Sequence, residues 1–276
     1  MQNRFQILCV TTQQTDFSKL HEMNIHSNVV FANQAGSVEY KEYIFDGKKA
    51  QMITTNTRGV GINRNISLMY ASAEICLLAD DDMYYTDDLE QTVVEEFDAH
   101  PDADIIIFNV ETAEGENRKQ KVYTETKRCG PLTRMPWGGV RIAFRLASVK
   151  KANLFFTTLF GGGCIFASGE DSLWLKDAKA KGLTFYVSEG FIGKVSFDSS
   201  SWFTGRDEKF FYARGAYIQA QYKHMQFVWA LYYAWRLKKN ASLSFSDRLR
   251  WIKYGRAGFE KCLSYDMFVK QKSASA

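Results

Sequence analysis

The sequence predicts an α/β fold with a mostly parallel sheet flanked by helices. Short apolar runs of strand length alternate with stretches of helical periodicity, and several of the runs are continuous rather than alternating. Continuous apolar runs are typical of strands that are buried on both faces. A chain of 276 residues can form one large α/β domain, or one domain with an appendage.

The first half of the chain supplies most of the elements. In order, we predict a strand at 5–10, a helix near 16–23, strands at 28–32 and 51–55, a helix over 62–73, a strand at 75–80, a helix over 88–99 and a strand at 104–109. Successive β-α-β units of this kind place helices on both faces of a sheet.

The second half changes character. Residues 134–144 are predicted to be a loop that enters a strand, a helix begins near Gly169, and short strands follow at 184–187 and 191–195. From Asp207 onward the pattern is helical and aromatic. We therefore expect an α/β domain at 1–205 and a C-terminal helical extension at 206–276.

Composition excludes several classes of protein. No apolar run reaches the roughly 18–20 residues that span a bilayer, and no signal pattern is seen at the N-terminus. The five cysteines are scattered and include no C-x-x-C pair, so we expect a reduced, cytoplasmic protein without a zinc site. The net charge of +4 is modest, and no nucleic-acid partner is expected.

The most informative stretch is 75–83, where an apolar strand ends in the carboxylates Asp80, Asp81 and Asp82. Ligands of open α/β sheets bind outside the carboxyl ends of the strands. Adjacent like charges repel, so a cation should compensate them, most simply Mg²⁺ held by one or two carboxylates and substrate phosphates. The alternative is a solvated acidic turn that precedes the helix starting near Asp87.

Several other known motifs are incomplete or missing in this sequence. Gly59-Val-Gly61 follows a strand and precedes a helix, but Arg64 occupies the third glycine position of a dinucleotide fingerprint. There is no Walker A sequence and no G-x-S-x-G elbow, and the four histidines show no metal or triad spacing. Hydride transfer and serine hydrolysis are therefore poor interpretations.

Three motifs together resemble the family 2 glycosyltransferases of GT-A fold that build bacterial surface polysaccharides. They are Arg58-Gly-Val-Gly-Ile-Asn-Arg64-Asn65, then Leu78-Ala-Asp80-Asp-Asp82, then Gly169-Glu170-Asp171. Their order and spacing match the family over roughly residues 5–205. The resemblance implies a metal-dependent, inverting transfer of a sugar from a nucleotide-diphospho-sugar, here a UDP-sugar, to a glycan or polyprenyl-linked acceptor.

The resemblance also assigns a donor site. Asp80 would contact the ribose or uracil, and Asp82 would bind the Mn²⁺ or Mg²⁺ that bridges the diphosphate. Arg64 either contacts the nucleotide or neutralises the cluster by pairing with Asp80 or Asp81. The remaining residues assigned to this site are Thr11, Asn33 and Asp81.

Two positions depart from the family pattern. Asn33 stands where the family usually carries an Asp that reads the base, which leaves the base open. No His follows the last strand as a further metal ligand. Asp198 or the loop at 199–202 could replace it, or the metal could be held by Asp82 and phosphates alone.

Asp171 is the predicted general base, which would deprotonate the acceptor hydroxyl. A helix that starts near Glu170 would hold this carboxylate at a helix N-terminus, where its ionised form is favoured. The alternative is that Glu170 and Asp171 only stabilise the helix start. Trp137 is assigned to the acceptor site because sugars stack on indole faces, and Glu170 is assigned to the same site. Trp137 could equally be an isolated buried side chain.

Two rival functions remain. A catalytically inactive sugar-nucleotide-binding module is disfavoured because both Asp82 and Asp171 are present. A sugar-phosphate nucleotidyltransferase should carry a Gly-rich phosphate loop after the first strand, where the chain has Thr11-Thr-Gln-Gln14.

The C-terminal segment mixes aromatic and basic residues, at 227–239 and again at 247–256. This composition suits helices that lie in the headgroup region of a membrane. Our hypothesis is that residues from about 222 to 259 anchor the enzyme peripherally at the cytoplasmic membrane face. The alternative is that these helices pack on the catalytic domain or on a second subunit.

Overall fold

The computed structural model describes residues 3–113, 121–130, 138–196, 205–222, 224–238 and 242–274. The chain divides into two compact units. The first contains Met1–Arg58, Ile62–Phe156 and Trp174–Ser200, and the second contains Gly59–Gly61, Thr157–Leu173 and Ser201–Ala276. The second unit thus combines the C-terminal helices with two internal segments that a division at residue 205 would assign to the α/β domain.

The first unit contains the sheet. Its strands are β1 Phe5–Thr12, β2 Asn28–Gln34, β3 Glu39–Phe45, β4 Lys48–Thr55, β5 Ile75–Asp80, β6 Met83–Tyr85, β7 Ile105–Thr112, β8 Lys127–Arg128, β9 Ile142–Arg145 and β10 Phe185–Val195. They lie in the order β3-β4-β2-β1-β5-β9-β7-β10-β6, with β8 beside β10.

The sheet is mixed: its long buried strands pair in parallel, as predicted, and short or exposed strands add antiparallel pairs. The pairs β1–β2, β1–β5, β2–β4 and β7–β10 are parallel. The other five pairings between the described strands are antiparallel. The antiparallel strands β3, β6, β8 and β9 are short or exposed, so they lack the long apolar runs that reveal buried parallel strands. The predicted α/β class is confirmed.

Strand β3 was missed by the sequence analysis because it does not have a buried face. Most of its residues are exposed, and it pairs only with β4 among the described strands. The connection is the two-residue turn Asp46-Gly47, in which both residues have positive φ angles, 47° and 72°. Asp-Gly is a strong signal for such a hairpin turn.

Helices cover both faces of the sheet in the first unit. One core cluster joins Phe5, Ile7 and Cys9 of β1 to buried residues of the helices α1 Lys19–Glu22 and α3 Leu89–Ala99. The other joins Leu8 of β1 to residues from α2 Val60–Tyr70, α4 Leu146–Lys151 and α5 Glu170–Ala180. Alternate residues of β1 therefore serve opposite layers, as expected for a strand buried on both faces.

The second unit is built around the helices α6 Glu208–Gln221, α7 Gln226–Arg236, α8 Phe245–Glu260 and α9 Tyr265–Ala274. Helices α6 and α8 touch at glycines: a Cβ on Gly215 would overlap the carbonyl oxygen of Ile252, and one on Gly255 would overlap that of Tyr212. Aromatic residues fill the rest of this core. Within the described ranges, the helices are all too short or too polar to cross a bilayer.

Candidate active site

The predicted donor residues of the first unit meet at one edge of the sheet. Val10 of β1 is in register with Asp80 of β5, and Thr11 is in register with Asn33 of β2. Asn33 is in turn opposite Thr54 of β4. Since these four strands are parallel, their carboxyl ends form a continuous ledge, which is where ligands bind in open α/β sheets.

Asp80 is held by a buried arginine. Nη2 of Arg64 lies 3.0 Å from Oδ1 of Asp80, and the Arg64 side chain is 2% exposed whereas that of Asp80 is 38% exposed. The guanidinium also lies over the ring of Phe156, 5.3 Å from its centroid. A Cβ on Gly139 would come within 2.5–2.7 Å of the guanidinium. The Arg64 guanidinium therefore lies in a narrow slot, which is bounded by Gly139 and Phe156 and leads to its acidic partner Asp80.

Asp81 is fixed from both its side chain and its backbone. The hydroxyl of Thr11 donates to Oδ2 of Asp81 at 2.5 Å, and Nζ of Lys19 donates to the Asp81 carbonyl oxygen at 3.3 Å. Partial burial lowers the pKa of Lys19, but its contacts with Glu22 and Asp81 raise the pKa on balance. Lys19 thus stays cationic beside the cluster.

Asp82 shares the turn between β5 and β6 with Asp81, and its carbonyl oxygen accepts the N–H of Ser196 at 3.1 Å. No group of three or more His, Cys, Asp or Glu side chains is arranged as a metal site within the described residues. Asp80 and Asp82 still fit Mg²⁺ or Mn²⁺, because these ions are commonly bound by one or two carboxylates and complete their shells with water and phosphate. The possible extra ligand Asp198 lies outside the described residues.

The neighbourhood of the cluster is electrostatically negative. Burial raises the pKa of the Cys9 thiol well above its ordinary value, and the charges of Asp81, Asp80 and Asp82 raise it further. Burial also raises the pKa of the Tyr85 phenol, again with contributions from Cys9 and the Asp cluster. Both groups therefore remain protonated, and the site favours a cation over any additional negative charge.

Asn33 has a different position from the one expected of a base-reading residue. Its side chain is fully buried. Its amide nitrogen donates to the carbonyl oxygen of Gln14 at 2.8 Å and to the hydroxyl of Thr54 at 3.1 Å, while its oxygen accepts the Gln14 N–H at 3.0 Å. Asn33 therefore holds the exposed loop after β1, and a ligand would meet that loop rather than the Asn33 amide.

Two asparagines of α2 belong to the first motif, but the sequence analysis gave them no role. Asn63 is buried and donates to the carbonyl oxygens of Thr11 and Ala32, at 3.3 and 3.0 Å, so that it ties β1 to β2. The Asn65 side chain donates to the carbonyl oxygen of Phe156 at 2.9 Å and accepts the Phe156 N–H at 2.7 Å. The Asn-Arg-Asn sequence could have signalled these roles, because polar residues on a buried helix face must find partners.

Glu170 and Asp171 belong to the second unit, whereas the Asp cluster belongs to the first. Both carboxylates lie in the first turn of α5, as predicted. Oε2 of Glu170 accepts the N–H of Gly169 at 3.0 Å. A Cβ on Gly161 would lie 3.0 Å from the Glu170 carboxylate, so glycine allows this close approach. Trp137, assigned to the acceptor site, lies outside the described residues.

Comparison with known proteins gives the family of the central part of the chain. Residues 35–167 match the model of the family described as glycosyl transferase family 2. This part of the chain belongs to glycosyl transferase family 2. The matched region contains Arg64 and the Asp cluster, while Thr11, Asn33, Glu170 and Asp171 lie outside it. The predicted family is confirmed for this region, and the match supports the glycosyltransferase class of enzymes.

Solved structures confirm the GT-A fold of this glycosyltransferase. The chain is similar to S. aureus TarS 1-349, with a TM-score of 0.56 and 15% identity over 94% of this chain and 73% of that one. It is also similar to the same protein in complex with UDP-GlcNAc (TM-score 0.57, 17% identity, 93% and 71% covered) and with UDP (0.58, 15%, 93% and 70%). A comparison with curated protein sequences gives no match.

Proposed function

We propose that this glycosyltransferase moves a sugar, with inversion, from a UDP-sugar to a hydroxyl of a glycan or lipid-linked glycan. The observation that carries the proposal is the ledge at the carboxyl ends of β1, β2, β4 and β5. There Arg64 fixes Asp80 and Thr11 fixes Asp81, at 3.0 and 2.5 Å. Rigid carboxylates at a sheet edge suit the ribose and metal-bound diphosphate of such a donor.

Asp82 would hold the metal, Mn²⁺ or Mg²⁺, and Asp80 would contact the ribose or uracil of the donor. When bound, the ion neutralises the charge that develops on the diphosphate as it leaves. Asp81 and the loop after β1, which Asn33 orders, would face the nucleotide. The complexes of TarS with UDP-GlcNAc and UDP support a uridine nucleotide, since that protein shares the fold.

Asp171 would act as the general base. It takes the proton of the acceptor hydroxyl as that oxygen bonds to the anomeric carbon, and the bond from that carbon to the diphosphate breaks on the opposite face. This single displacement inverts the anomeric centre. A carboxylate in the first turn of α5 is favoured in its ionised form by the helix dipole, which suits a base.

A membrane-bound acceptor is supported by α7. This helix buries Ala230, Tyr233 and Ala234, but its aromatic residues Phe227 and Trp235 are 68% and 61% exposed. Arg236 and Lys238 lie over the rings of Tyr232 and Trp235. An apolar aromatic face bordered by cations fits the headgroup region of an anionic membrane, so we place the enzyme peripherally at the cytoplasmic face.

A panel of sugar nucleotides tests the proposal. The chain is incubated with Mn²⁺ and each UDP-, GDP- or dTDP-sugar, and thermal stabilisation and nucleotide release are measured. A ligand at 100 times its Kd stabilises by about 2.7 kcal/mol, so the correct donor should stand out and should be hydrolysed slowly. Binding without release would indicate an inactive binding module, and diphosphate release from a nucleoside triphosphate would indicate a nucleotidyltransferase.

A further inference from the structure

Two buried aromatic rings accompany the arginine that holds Asp80. The guanidinium of Arg64 lies over the ring of Phe156, with Cζ 5.3 Å from the ring centroid. The indole of Trp174 stacks on the same Phe156 ring, with 5.1 Å between the centroids and 5° between the planes. Both aromatic side chains are buried, and all of these residues belong to the first unit. We call Phe156 and Trp174 the ring stack.

The ring stack is held in place by contacts other than the arginine. Asn65, the neighbour of Arg64 on α2, forms its two hydrogen bonds with the backbone of Phe156. The ring of Phe144 on β9 packs on the Trp174 indole, with 5.7 Å between centroids and 52° between planes. Elements α2, α5 and β9 therefore fix the two rings, and the guanidinium rests on a surface that cannot easily move.

Trp174 carries a cost that packing alone does not explain. Its indole N–H is buried and has no hydrogen-bond partner among the described residues. Buried N–H groups are normally paired, because an unpaired donor loses its bonds to water on folding. A phenylalanine at this position would also stack on Phe156 and would leave no donor unpaired. The structure therefore calls for a role of the ring at position 174 beyond filling space.

We propose that Phe156 and Trp174 are positioning residues for the donor, which act by holding the Arg64 guanidinium against Asp80. A guanidinium is attracted to the face of an aromatic ring, and more strongly when both are shielded from water. The Phe156 ring therefore orients the guanidinium, whose Nη2 reaches Oδ1 of Asp80 at 3.0 Å. An aliphatic side chain would fill the space without orienting the cation. This inference rests on the proposed function, in which Asp80 contacts the donor.

The test measures the UDP affinity of the full chain by calorimetry with Mn²⁺. Phe156→Leu removes the ring but keeps an apolar side chain, and UDP binding should weaken about 3- to 10-fold. Phe97→Leu is the matched control: Phe97 is also buried and its centroid lies 5.1 Å from Cζ of Arg145, an arginine that pairs with Glu74 rather than with Asp80. Both variants should lower the melting temperature, but only Phe156→Leu should weaken UDP binding.

Substitutions of Trp174 separate the ring from general packing. Trp174→Phe keeps a ring on Phe156 and removes the unpaired N–H, so UDP affinity should stay within about twofold of the wild-type value. Trp174→Leu removes the ring, and UDP affinity should fall about threefold. If Phe156→Leu does not fold, as judged by thermal unfolding, this pair of variants decides the question. Equal UDP affinity in Trp174→Phe and Trp174→Leu overturns the role of the ring stack.

A double-mutant cycle shows whether the effect passes through Asp80. In Asp80→Asn the charge that the guanidinium holds is gone, so adding Phe156→Leu should weaken UDP binding no further. The same additional loss in both backgrounds would mean that Phe156 acts by another route, and it would overturn the proposal. Unchanged UDP affinity in Phe156→Leu, or an equal loss in Phe97→Leu, would overturn it as well.

The proposed function and this inference fail separately. If the wild-type chain binds neither UDP nor any UDP-sugar, the proposed function is wrong, and the same cycle is then read from chemical denaturation of the chain without ligand. The losses in the free energy of unfolding caused by Phe156→Leu and Asp80→Asn should sum to more than the loss in the double variant, because both changes disrupt one chain of contacts. Additive losses would show that the ring stack does not hold the Arg64–Asp80 pair.

Discussion

At the residue scale, the slot around Arg64 makes Gly139 a sensitive position. In Gly139→Ala, the new methyl would lie within 2.7 Å of the guanidinium and would push it away from Asp80. We expect UDP affinity to fall about tenfold and stability to fall by about 1–3 kcal/mol, as is usual for overpacking. Gly36→Ala is the control, because a Cβ there meets nothing within 4 Å. Unchanged UDP affinity in Gly139→Ala would separate the Arg64–Asp80 pair from donor binding.

Asp82 is the residue whose change should show the metal requirement. Asp82→Asn keeps the side-chain volume but removes the charge that attracts a divalent ion. Turnover with Mn²⁺ should fall by orders of magnitude while the melting temperature changes little, and EDTA should abolish the activity of the wild type. Asp88→Asn, at an exposed acid nearby, should behave as the wild type does. Full activity in EDTA would show that the enzyme does not depend on a metal.

Much of the geometry of the candidate donor site could be predicted from the sequence because its residues are adjacent in motifs. The Asp cluster was evident from one strand end, and Arg64 from its place on α2. The contribution of Gly139 could not be predicted, since this glycine leaves space for a side chain 75 positions earlier in the chain. The burial of Asn33 was likewise hidden, because its partners Gln14 and Thr54 come from separate strand ends.

At the scale of single elements, α5 tests whether Asp171 performs chemistry or only stabilises the helix start. Asp171→Asn loses a favourable interaction with the helix dipole, which is worth about 0.3–1 kcal/mol, so the fold should persist. Sugar transfer should fall about 10²- to 10⁴-fold with UDP affinity retained. Asp177→Asn, at an exposed acid of the same helix, is the matched control. Near-normal transfer by Asp171→Asn would leave this carboxylate with a structural role only.

The contact between α6 and α8 predicts that alanine in place of Gly255 destabilises the protein, which is the opposite of its usual effect in a helix. Replacing a glycine inside a helix with alanine usually raises the free energy of unfolding, by roughly 0.5–1 kcal/mol. In Gly255→Ala, the methyl would overlap the backbone of Tyr212, so the free energy of unfolding should instead drop by about 1–3 kcal/mol. Chemical denaturation measures this, with Lys253→Ala on the exposed side of α8 as the control. A stabilised Gly255→Ala would mean that the helices are not in this close contact.

Element by element, buried strands were easier to predict than exposed ones. Strands β1, β2, β5 and β7 were found because each is apolar on both faces. Strand β3 has no such pattern and could be recognised only by its Asp46-Gly47 turn. The two short strands predicted at 184–187 and 191–195 are parts of the single strand β10, whose register shifts between Val187 and Phe191 and so breaks the sequence pattern.

At the scale of the whole molecule, the exposed face of α7 predicts where the enzyme works. Full burial of an aromatic side chain in an apolar environment is worth about 1.5–3 kcal/mol. The double variant Phe227→Ser, Trp235→Ser should therefore bind anionic vesicles at least about tenfold more weakly than the wild type at low salt. Tyr40→Ser, at an exposed aromatic of β3, should bind as the wild type does. If the folded wild-type chain does not co-sediment with such vesicles, this face serves another contact.

The outer edge of β3 bears on the solubility of the molecule. Among the described strands, none pairs with that edge, and it displays a row of backbone groups beside the exposed side chains of Tyr43 and Ile44. Such an edge is a template on which a second chain can add a strand. Charged residues interrupt this apolar surface: Lys41 forms an ion pair with Glu39, and Lys49 forms one with Glu42. These ion pairs are too exposed to stabilise the fold much, and their value lies in opposing aggregation.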